Sequence, residues 1–295
     1  MGRYPRVELV GFDSMGVRGM ATHIVAGGLE ITIDPGANLA PRRFGLPPHR
    51  LELQALDEAL ARIRAMVSRS DYVVISHYHR DHYLYRNEEV ELYRGKTVLA
   101  KAPDKTVSFS QRLRARDLYS RKPLREGARV LWADSSSLEI DDGVRLEFSR
   151  PVPHGPRGSR LGNVIMTFLE IDGYRIVHAS DVQGPANDEA LSTVLAWSPD
   201  LLIISGPPTY LEGGRGVDVE AGMRGLSSLI SGMKEGSTLI VDHHLLRDLR
   251  SLSIIDDLRR KGASRGIKVL TAAEFMGLEN TPLEAMRRQL WARGT

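Results

Sequence analysis

Short apolar runs alternate with helical patterns along the whole chain, and this alternation limits the folds open to it. The runs at 72–75 and 201–204 are almost wholly apolar, which is typical of strands buried on both faces. Apolar side chains at 3-4-3-4 spacing predict helices between such runs, most clearly over 53–67. Glycine-bearing turns separate further strands predicted at 7–10 and 29–33. Strands and helices in alternation favour a mixed α/β fold.

The length and the continuity of the pattern bear on domain organisation. The chain has 295 residues, 42% of them apolar, and can bury a sizeable core. Because no tandem repeat, low-complexity tract or long linker divides the sequence, we predict one domain over 1–295, with a charged helical insertion around 83–127. Helices are expected at 83–93 and 107–119, and the residues at 281–284 predict a capping box at the start of a last helix.

Composition restricts the chemistry that the chain can perform. It contains no cysteine, which excludes a disulfide scaffold, thiol catalysis and thiolate metal sites. A transition metal would therefore need imidazole and carboxylate ligands. The 40 basic residues exceed the 37 acidic ones by only three, which does not by itself argue for nucleic acid. Of these basic residues 33 are arginines, which favour contacts to phosphate or carboxylate but also follow from a GC-rich genome.

The sequence also bears on the compartment in which the protein works. Residues 1–5 lack the apolar stretch of a signal peptide. No uninterrupted apolar run approaches the length needed to cross a bilayer. We therefore expect a soluble, cytoplasmic protein with no membrane partner.

A run rich in histidine and aspartate follows the predicted strand at 72–75, and it reads Ser76-His77-Tyr78-His79-Arg80-Asp81-His82. Ligands and metals gather at strand ends in α/β proteins. His77 and His79 are two residues apart, so in an extended chain they project to the same side. Asp81 and His82 follow where the chain turns, within reach of a second ion. The run therefore predicts a metal site.

Further candidate ligands follow other predicted strands in order along the chain. They are His154 after 144–148, Asp181 after 174–177, the pair His243 and His244 after 238–241, and Asp34 after 29–33. A single histidine after a strand is more often a hydrogen-bonded loop residue. Several such placements together indicate one metal centre with two ions.

These residues and their order resemble the metallo-β-lactamase superfamily, especially its branch of RNA-processing nucleases and phosphodiesterases. The segments at 11–19 and 41–49 are similar to an archaeal group of metal-dependent hydrolases within it. The resemblance implies a four-layer αββα sandwich, in which two mixed β-sheets face each other, helices lie outside and metals bind at one edge.

The resemblance also implies a role for each ligand. His77, His79 and His154 would hold one divalent ion, Asp81, His82 and His243 the other, and Asp181 would bridge them. Asp34 would orient the ligand loop from behind, although an aspartate before Pro-Gly is also typical of a turn. Either His243 or His244 can be the last ligand. We favour His243, because it comes first and because Arg247 follows at the spacing of a basic residue in the nuclease branch.

Nitrogen and oxygen ligands without thiolate fit zinc best and also accept iron or manganese. Two such ions would lower the pKa of a bridging water and stabilise developing negative charge. We therefore expect hydrolysis by a hydroxide that bridges two metal ions, with Asp81 and Asp181 as the catalytic carboxylates. Asp81 can orient the hydroxide as well as bind metal.

The substrate is less constrained by the sequence. The stretch at 111–125 carries five arginines and one lysine, with Tyr119 available to stack on a base, or it is simply an exposed basic helix. Arg42, Arg43 and Arg247 are candidate substrate contacts. We therefore expect a phosphate-containing substrate, such as RNA or DNA, and a phosphodiesterase or nuclease.

Two alternatives remain at this stage. One is a hydrolase of carboxylic esters, thioesters or lactones that uses the same two ions. The other is an iron-binding or redox protein without hydrolytic turnover.

Overall fold

The computed structural model describes residues 4–141 and 143–293 of the chain. In chain order, the strands are β1 (Arg6–Val10), β2 (Ala21–Ala26), β3 (Leu29–Ile33), β4 (Tyr72–Ile75), β5 (Thr97–Ala100), β6 (Arg129–Trp132), β7 (Ser137–Asp141), β8 (Val144–Phe148), β9 (Val152–Pro153), β10 (Asn163–Val164), β11 (Thr167–Ile171), β12 (Tyr174–Ala179), β13 (Leu201–Ser205), β14 (Thr238–Asp242) and β15 (Lys268–Leu270). The helices are α1 (Arg50–Arg69), α2 (Asn87–Val90), α3 (Phe109–Ser120), α4 (Lys122–Gly127), α5 (Asp188–Trp197), α6 (Val219–Gly232), α7 (Ser251–Ala263), α8 (Ala272–Phe275) and α9 (Leu283–Ala292).

Most of these strands form two large mixed sheets. The first sheet has the order β1-β2-β3-β4-β5-β6, antiparallel from β1 to β3 and parallel from β3 to β6. The second has the order β15-β14-β13-β12-β11-β8-β7, parallel from β15 to β12 and antiparallel from β12 to β7. The parallel strands of each sheet therefore end at one common edge.

Buried apolar clusters separate the layers. In the centre, inward-facing residues of both sheets pack together, including Val74 of β4 and Ile203 of β13. Their neighbours Val73 and Leu202 point the opposite way, because side chains alternate along a strand. Val73 packs with residues of α1, α3 and α4, and Leu202 with residues of α5, α6 and α7. This arrangement is the predicted four-layer αββα sandwich, so the fold prediction is confirmed.

Two local predictions are wrong. Within 83–93 only α2 and a 3-10 turn at Glu91–Tyr93 are helical. The buried Tyr93 hydroxyl accepts a hydrogen bond from Leu84 N at 3.0 Å and donates to Leu84 O at 3.2 Å, which holds the segment before α2 out of a helix. The capping box at 281–284 is also absent, since α9 begins without a side-chain cap and Thr281 N donates to Ser14 O at 2.7 Å.

The region around 83–127 contains three helices, α2, α3 and α4. It also contains β5, which pairs with β4 and β6 inside the first sheet. The single-domain organisation stays a prediction. No helix in the described part of the chain combines the length and the apolar character needed to span a membrane. Residues 1–3, part of the segment that bears on the signal-peptide prediction, lie outside the described residues.

Candidate metal centre

The predicted ligands come together at the edge where the parallel strands end. Asp34 follows β3, His77 follows β4 and His154 follows β9. Asp181 lies two residues beyond β12, and His243 follows β14 directly. Residues separated by up to 209 positions therefore share one site, because strands of both sheets end there.

One group of donor atoms consists of three histidines and one carboxylate oxygen. His79 Nδ1 lies 3.1 Å from His77 Nε2 and 3.2 Å from His154 Nε2. Asp181 Oδ2 lies 2.7 Å from His154 Nε2 and 3.2 Å from His77 Nε2. Donors about 2.0–2.2 Å from a tetrahedral zinc ion would be about 3.3–3.6 Å apart. The spacing of this group is close to that of a tetrahedral ligand set.

A second group lies on the other side of Asp181. Asp181 Oδ1 is 3.2 Å from His243 Nε2 and 3.6 Å from His82 Nε2. The carboxylate of Asp81 lies 3.9 Å from each of these two imidazole nitrogens. Asp181 therefore directs one oxygen to each group.

Two polar atoms of this cluster have no hydrogen-bond partner among the described residues. They are His82 Nε2 and Asp181 Oδ1, and both are buried. A buried polar atom without a partner is costly, and a metal ion between these two atoms would remove that cost. Together with the sulfur-free donor set, this shows that the residues present fit divalent metal ions.

The imidazole rings are oriented by acceptors behind them. His77 Nδ1 lies 2.9 Å from Ser76 Oγ, and His82 Nδ1 lies 3.0 Å from Asp34 Oδ2. Asp34 also accepts hydrogen bonds from Ser76 N at 2.7 Å and Ser76 Oγ at 2.6 Å. Burial opposes ionisation of Asp34, but the bond from His82 outweighs it and lowers the pKa to about 2. An ionised Asp34 can only accept, so the His82 proton sits on Nδ1 and leaves Nε2 for a metal.

Asp13 orients the imidazole ring of His243 in the same way, and the sequence did not identify it as a site residue. Asp13 Oδ2 accepts from His243 Nδ1 at 2.7 Å, and Asp13 Oδ1 accepts from Arg247 Nε at 2.8 Å. Asp13 lies in a 3-10 turn shortly after β1, and no histidine neighbour marks it in the sequence. The available signals were its place after the strand predicted at 7–10 and within the 11–19 segment.

The backbone at the site is held in unusual conformations. Asp34, Asp181 and His243 have left-handed backbones, with φ of 49°, 53° and 56°. Such values are uncommon for residues other than glycine, and they cluster at functional sites. Gly36 allows close approach, since a Cβ there would lie 2.3 Å from Tyr83 N and 2.6 Å from His82 N. The turn after β3 can therefore lie directly against the ligand loop.

The histidines of the metal-free cluster differ in proton affinity. Burial, reinforced by the neighbouring His82, lowers the pKa of His77 to about 3. Burial also disfavours a charged His82, but the carboxylates of Asp181, Asp81 and Asp34 outweigh it and raise its pKa to about 9. At neutral pH both ring nitrogens of His82 therefore carry a proton in this cluster, and a metal ion at Nε2 would displace one of them.

The cluster opens into a cleft of about 800 Å³ that contains many arginines. His79, Asp81, His154, Asp181 and His244 line its metal side. The arginines that line it are Arg18, Arg80, Arg114, Arg160, Arg215 and Arg247. Arg18 pairs with Glu284 and Arg247 with Asp13. Arg114 donates to Tyr78 O at 3.2 Å. The side chains of Arg80, Arg160 and Arg215 have neither a carboxylate nor a hydrogen-bond partner among the described residues, so their charges are available to a ligand.

The predicted substrate contacts differ in their surroundings. Arg42 is exposed, and its guanidinium donates to Gly45 O at 3.3 Å within its own turn. Arg43 donates to Arg247 O at 3.2 Å and lines a second, smaller cavity. Arg247 is buried, forms an ion pair with Asp13 and lines both cavities.

Tyr119 and His244 are two further side chains for which the sequence predicts a role. Tyr119 is not available to stack on a base, because its ring packs edge-on against Tyr78 and Trp132, at centroid distances of 6.0 and 5.0 Å. His244 lines the cleft, with its Nε2 3.9 Å from Asp181 Oδ2. His243 is closer to Asp181 and contacts both Asp81 and Asp13, which favours it as the ligand.

The two sheets and the helices outside them have the metallo-β-lactamase fold. Unliganded yeast PDE1 is similar over 92% of this chain and 98% of that chain, with a TM-score of 0.55 and 13% identity. The metallo-beta-lactamase fold protein YhfI from Bacillus subtilis is similar over 92% of this chain and 96% of that chain, with a TM-score of 0.53 and 12% identity. At these identities the likeness shows the fold alone. No family model matches the chain.

Proteins with similar sequences identify the family to which the chain belongs. A UPF0282 protein from Aeropyrum pernix is 48% identical over 291 residues, which cover 97% of this chain and 98% of the relative. A UPF0282 protein from Thermococcus gammatolerans is 40% identical over 299 residues, which cover 98% of this chain and 95% of the relative. The chain belongs to the UPF0282 family. The archaeal group inferred from the segments at 11–19 and 41–49 is consistent with these relatives.

Proposed function

We propose that this chain is a metal-dependent hydrolase that cleaves phosphodiester bonds, with a water shared by two divalent metal ions as the nucleophile. One observation carries the proposal: Asp181 directs one oxygen to each of two donor groups, and both groups face a cleft with unpaired arginines. Zinc fits the donor set best, and iron or manganese would also be accepted.

The residues of the chain have separable tasks in this reaction. Bound at the two donor groups, the ions would supply an activated water and stabilise negative charge on the phosphoryl oxygens. Asp81, whose side chain is 17% exposed toward the cleft, would accept a hydrogen bond from the water and orient it. Arg80, Arg160 and Arg215 would bind phosphate oxygens, since guanidinium groups match their geometry.

The unpaired arginines favour a phosphodiester over the alternative substrates. A thioester or lactone carries no charge at the reacting group, so three cationic side chains without partners would bring no advantage there. A phosphodiester carries one negative charge for each linkage, and a nucleic acid strand carries many. RNA, DNA or a smaller nucleotide would each satisfy this requirement.

Metal analysis and a substrate panel test the proposal together. We expect the purified protein to hold metal ions and to hydrolyse bis-p-nitrophenyl phosphate in preference to thioesters and lactones. The His77→Ala/His79→Ala variant should lose both properties. His23→Gln is a matched control, because His23 is also buried but binds Thr32 and Glu30 away from the cluster.

Three results would contradict the proposal. Equal metal content in the wild type and the double variant would refute the metal site. Turnover of thioesters or lactones without phosphodiesters would favour the alternative hydrolase. Bound iron with electron transfer and no hydrolysis would favour a redox protein.

A further inference from the structure

A second cavity of about 440 Å³ lies beside the metal cleft. Tyr210 and Arg247 line both cavities and form the wall between them. The second cavity is also lined by Arg43, Phe44 and Arg288. A ligand that passes over Tyr210 could therefore occupy both cavities at once.

Guanidinium groups and aromatic rings alternate along this second cavity. The guanidinium carbon of Arg43 lies 4.5 Å from the ring centroids of both Phe44 and Tyr210. The guanidinium carbon of Arg288 lies 4.5 Å from the Phe44 ring. We call these four residues the arginine–aromatic ladder. Such rings and guanidinium planes are the groups on which nucleic acid bases stack.

Part of the positive charge on the ladder has no close carboxylate partner among the described residues. Arg288 is exposed and has no carboxylate partner among the described residues. Arg43 Nε is buried without a hydrogen-bond partner in the same part of the chain, and its nearest carboxylate, that of Glu284, lies 3.8 Å away and is shared with Arg18. An anion beside the ladder would supply what these two donors lack.

Phe44 lies in a two-residue turn whose backbone conformation is unfavourable for a bulky side chain. Arg43 and Leu46 exchange backbone hydrogen bonds of 3.0 and 2.9 Å, so Phe44 and Gly45 form a two-residue loop. Both have positive φ, 56° and 79°, a combination for which Asn-Gly is the preferred pair. A bulky aromatic residue at such a position is an outlier, and here the residue is still 38% exposed. Folding alone would favour a different residue, which suggests that the ring serves binding.

We propose that the arginine–aromatic ladder binds one nucleotide of a single-stranded nucleic acid, with the base against the Phe44 ring and a phosphate on Arg43 and Arg288. This rests on the proposed function in one respect: the bond to be cleaved lies in the neighbouring metal cleft. The shared wall at Tyr210 and Arg247 connects the two positions on a single strand.

Fluorescence anisotropy with a short labelled RNA strand, and with DNA of the same sequence, tests this inference. Replacement of Phe44 by asparagine keeps the turn and removes the ring. We expect Phe44→Asn to weaken binding by about 5- to 150-fold, the range typical of one stacked base. Phe44→Trp should retain binding. The melting temperature of Phe44→Asn should not fall, because asparagine suits the turn.

A matched control is available at Phe109, an exposed phenylalanine outside both cavities that also has an arginine, Arg112, over its ring at 6.0 Å. Phe109→Asn should bind the strands as the wild type does. Loss of binding to RNA, to DNA or to both in Phe44→Asn alone supports the inference, and a loss confined to one strand identifies the sugar. Failure of the wild type to bind either strand, or equal binding by Phe44→Asn, overturns it.

The outcome is independent of the proposed function. Strand length is checked on a denaturing gel, so binding is measured with or without cleavage. Bis-p-nitrophenyl phosphate is small enough to need the metal cleft only, so its hydrolysis tests the proposed function separately. Binding that depends on Phe44 without any hydrolysis would leave the ladder in place and refute the hydrolase.

Discussion

We expect Asp13→Asn to weaken the binding of a metal ion at the donor group that contains His243. The two oxygens of Asp13 accept hydrogen bonds from His243 Nδ1 and Arg247 Nε, at 2.7 and 2.8 Å. The side chains of His243 and Arg247 are 0% and 4% exposed, so water cannot replace the carboxylate. Asparagine offers these two donors one accepting oxygen and no charge, so the orientation of the His243 ring, whose Nε2 points toward Asp81 and Asp181, is less firmly held.

The size of the effect follows from the burial of these groups. Loss of an acceptor behind a metal-binding histidine typically lowers metal affinity by about 10- to 100-fold, which corresponds to about 1.4–2.7 kcal/mol. Arg247 would also be left buried without its partner. Removal of one member of a buried ion pair costs about 3–5 kcal/mol of folding stability. Both metal affinity and the free energy of unfolding should therefore fall.

A second buried ion pair separates these two effects. Arg287 of α9 binds Glu52 of α1 through two hydrogen bonds of 2.8 and 2.7 Å, and both side chains are fully buried. Glu52→Gln should therefore destabilise the protein to a similar degree. No ligand lies on α1 or α9, so its metal content should not change.

Metal content is measured by mass spectrometry after dialysis against graded chelator, and stability by chemical denaturation. Asp13→Asn should lose metal at lower chelator concentrations than the wild type, and Glu52→Gln should not. If Asp13→Asn keeps its metal as the wild type does, Asp13 does not position His243. If Glu52→Gln loses metal equally, the loss reflects instability alone.

Three further predictions concern other parts of the molecule. Gly36→Ala should cost about 1–3 kcal/mol of stability and release metal, because its Cβ would overlap the backbone of the ligand loop. Burial would raise the pKa of Glu89, but hydrogen bonds from Arg64 and from the Arg86 backbone outweigh it and hold the pKa below its ordinary value of 4.5. Ionised Glu89 therefore stabilises the fold above pH 4.5, and the deficit of Glu89→Gln in denaturation should shrink as the pH falls below that value. Replacement of Arg160 and Arg215 by glutamine should reduce the salt dependence of strand binding, by about 0.7 in logarithmic slope for each arginine.

Each of these three predictions has a result that would contradict it. A Gly36→Ala protein with normal metal content would show that the ligand loop can move aside. A Glu89→Gln deficit that stays constant from pH 7 to pH 3 would mean that the carboxylate charge contributes nothing. An unchanged salt slope would place the strand away from Arg160 and Arg215, and Arg224→Gln on α6, which pairs only with exposed Glu220, is the matched control.

Much of the fold could be predicted because it is encoded locally. The apolar run at 72–75 coincides with β4, and the periodic pattern at 53–67 lies inside α1. Both signals depend on burial of near neighbours in the chain. The segment at 83–93 shows the limit of such signals, since a single tertiary contact from Tyr93 to Leu84 overrides the helical pattern.

The site was predictable to the extent that its residue types are rare. Histidines after successive strands mark the cluster, because the ends of parallel strands meet at one edge. Asp13 and Phe44 lack such a mark. Asp13 contacts residues 230 and 234 positions away, and Phe44 looks like any loop residue until its φ and its two arginines are known.

The origin of the ligands has a consequence for the folding of the whole molecule. His77 belongs to the end of a strand in the first sheet, whereas Asp181 and His243 follow strands in the second. An ion held by His77 and Asp181 would connect the two sheets at one edge of their interface. Such an ion binds only when the sheets are docked, so it stabilises the folded state by about 4 kcal/mol at a thousandfold excess over its dissociation constant. Docking of the two sheets and loading of the metal are in this sense a single equilibrium.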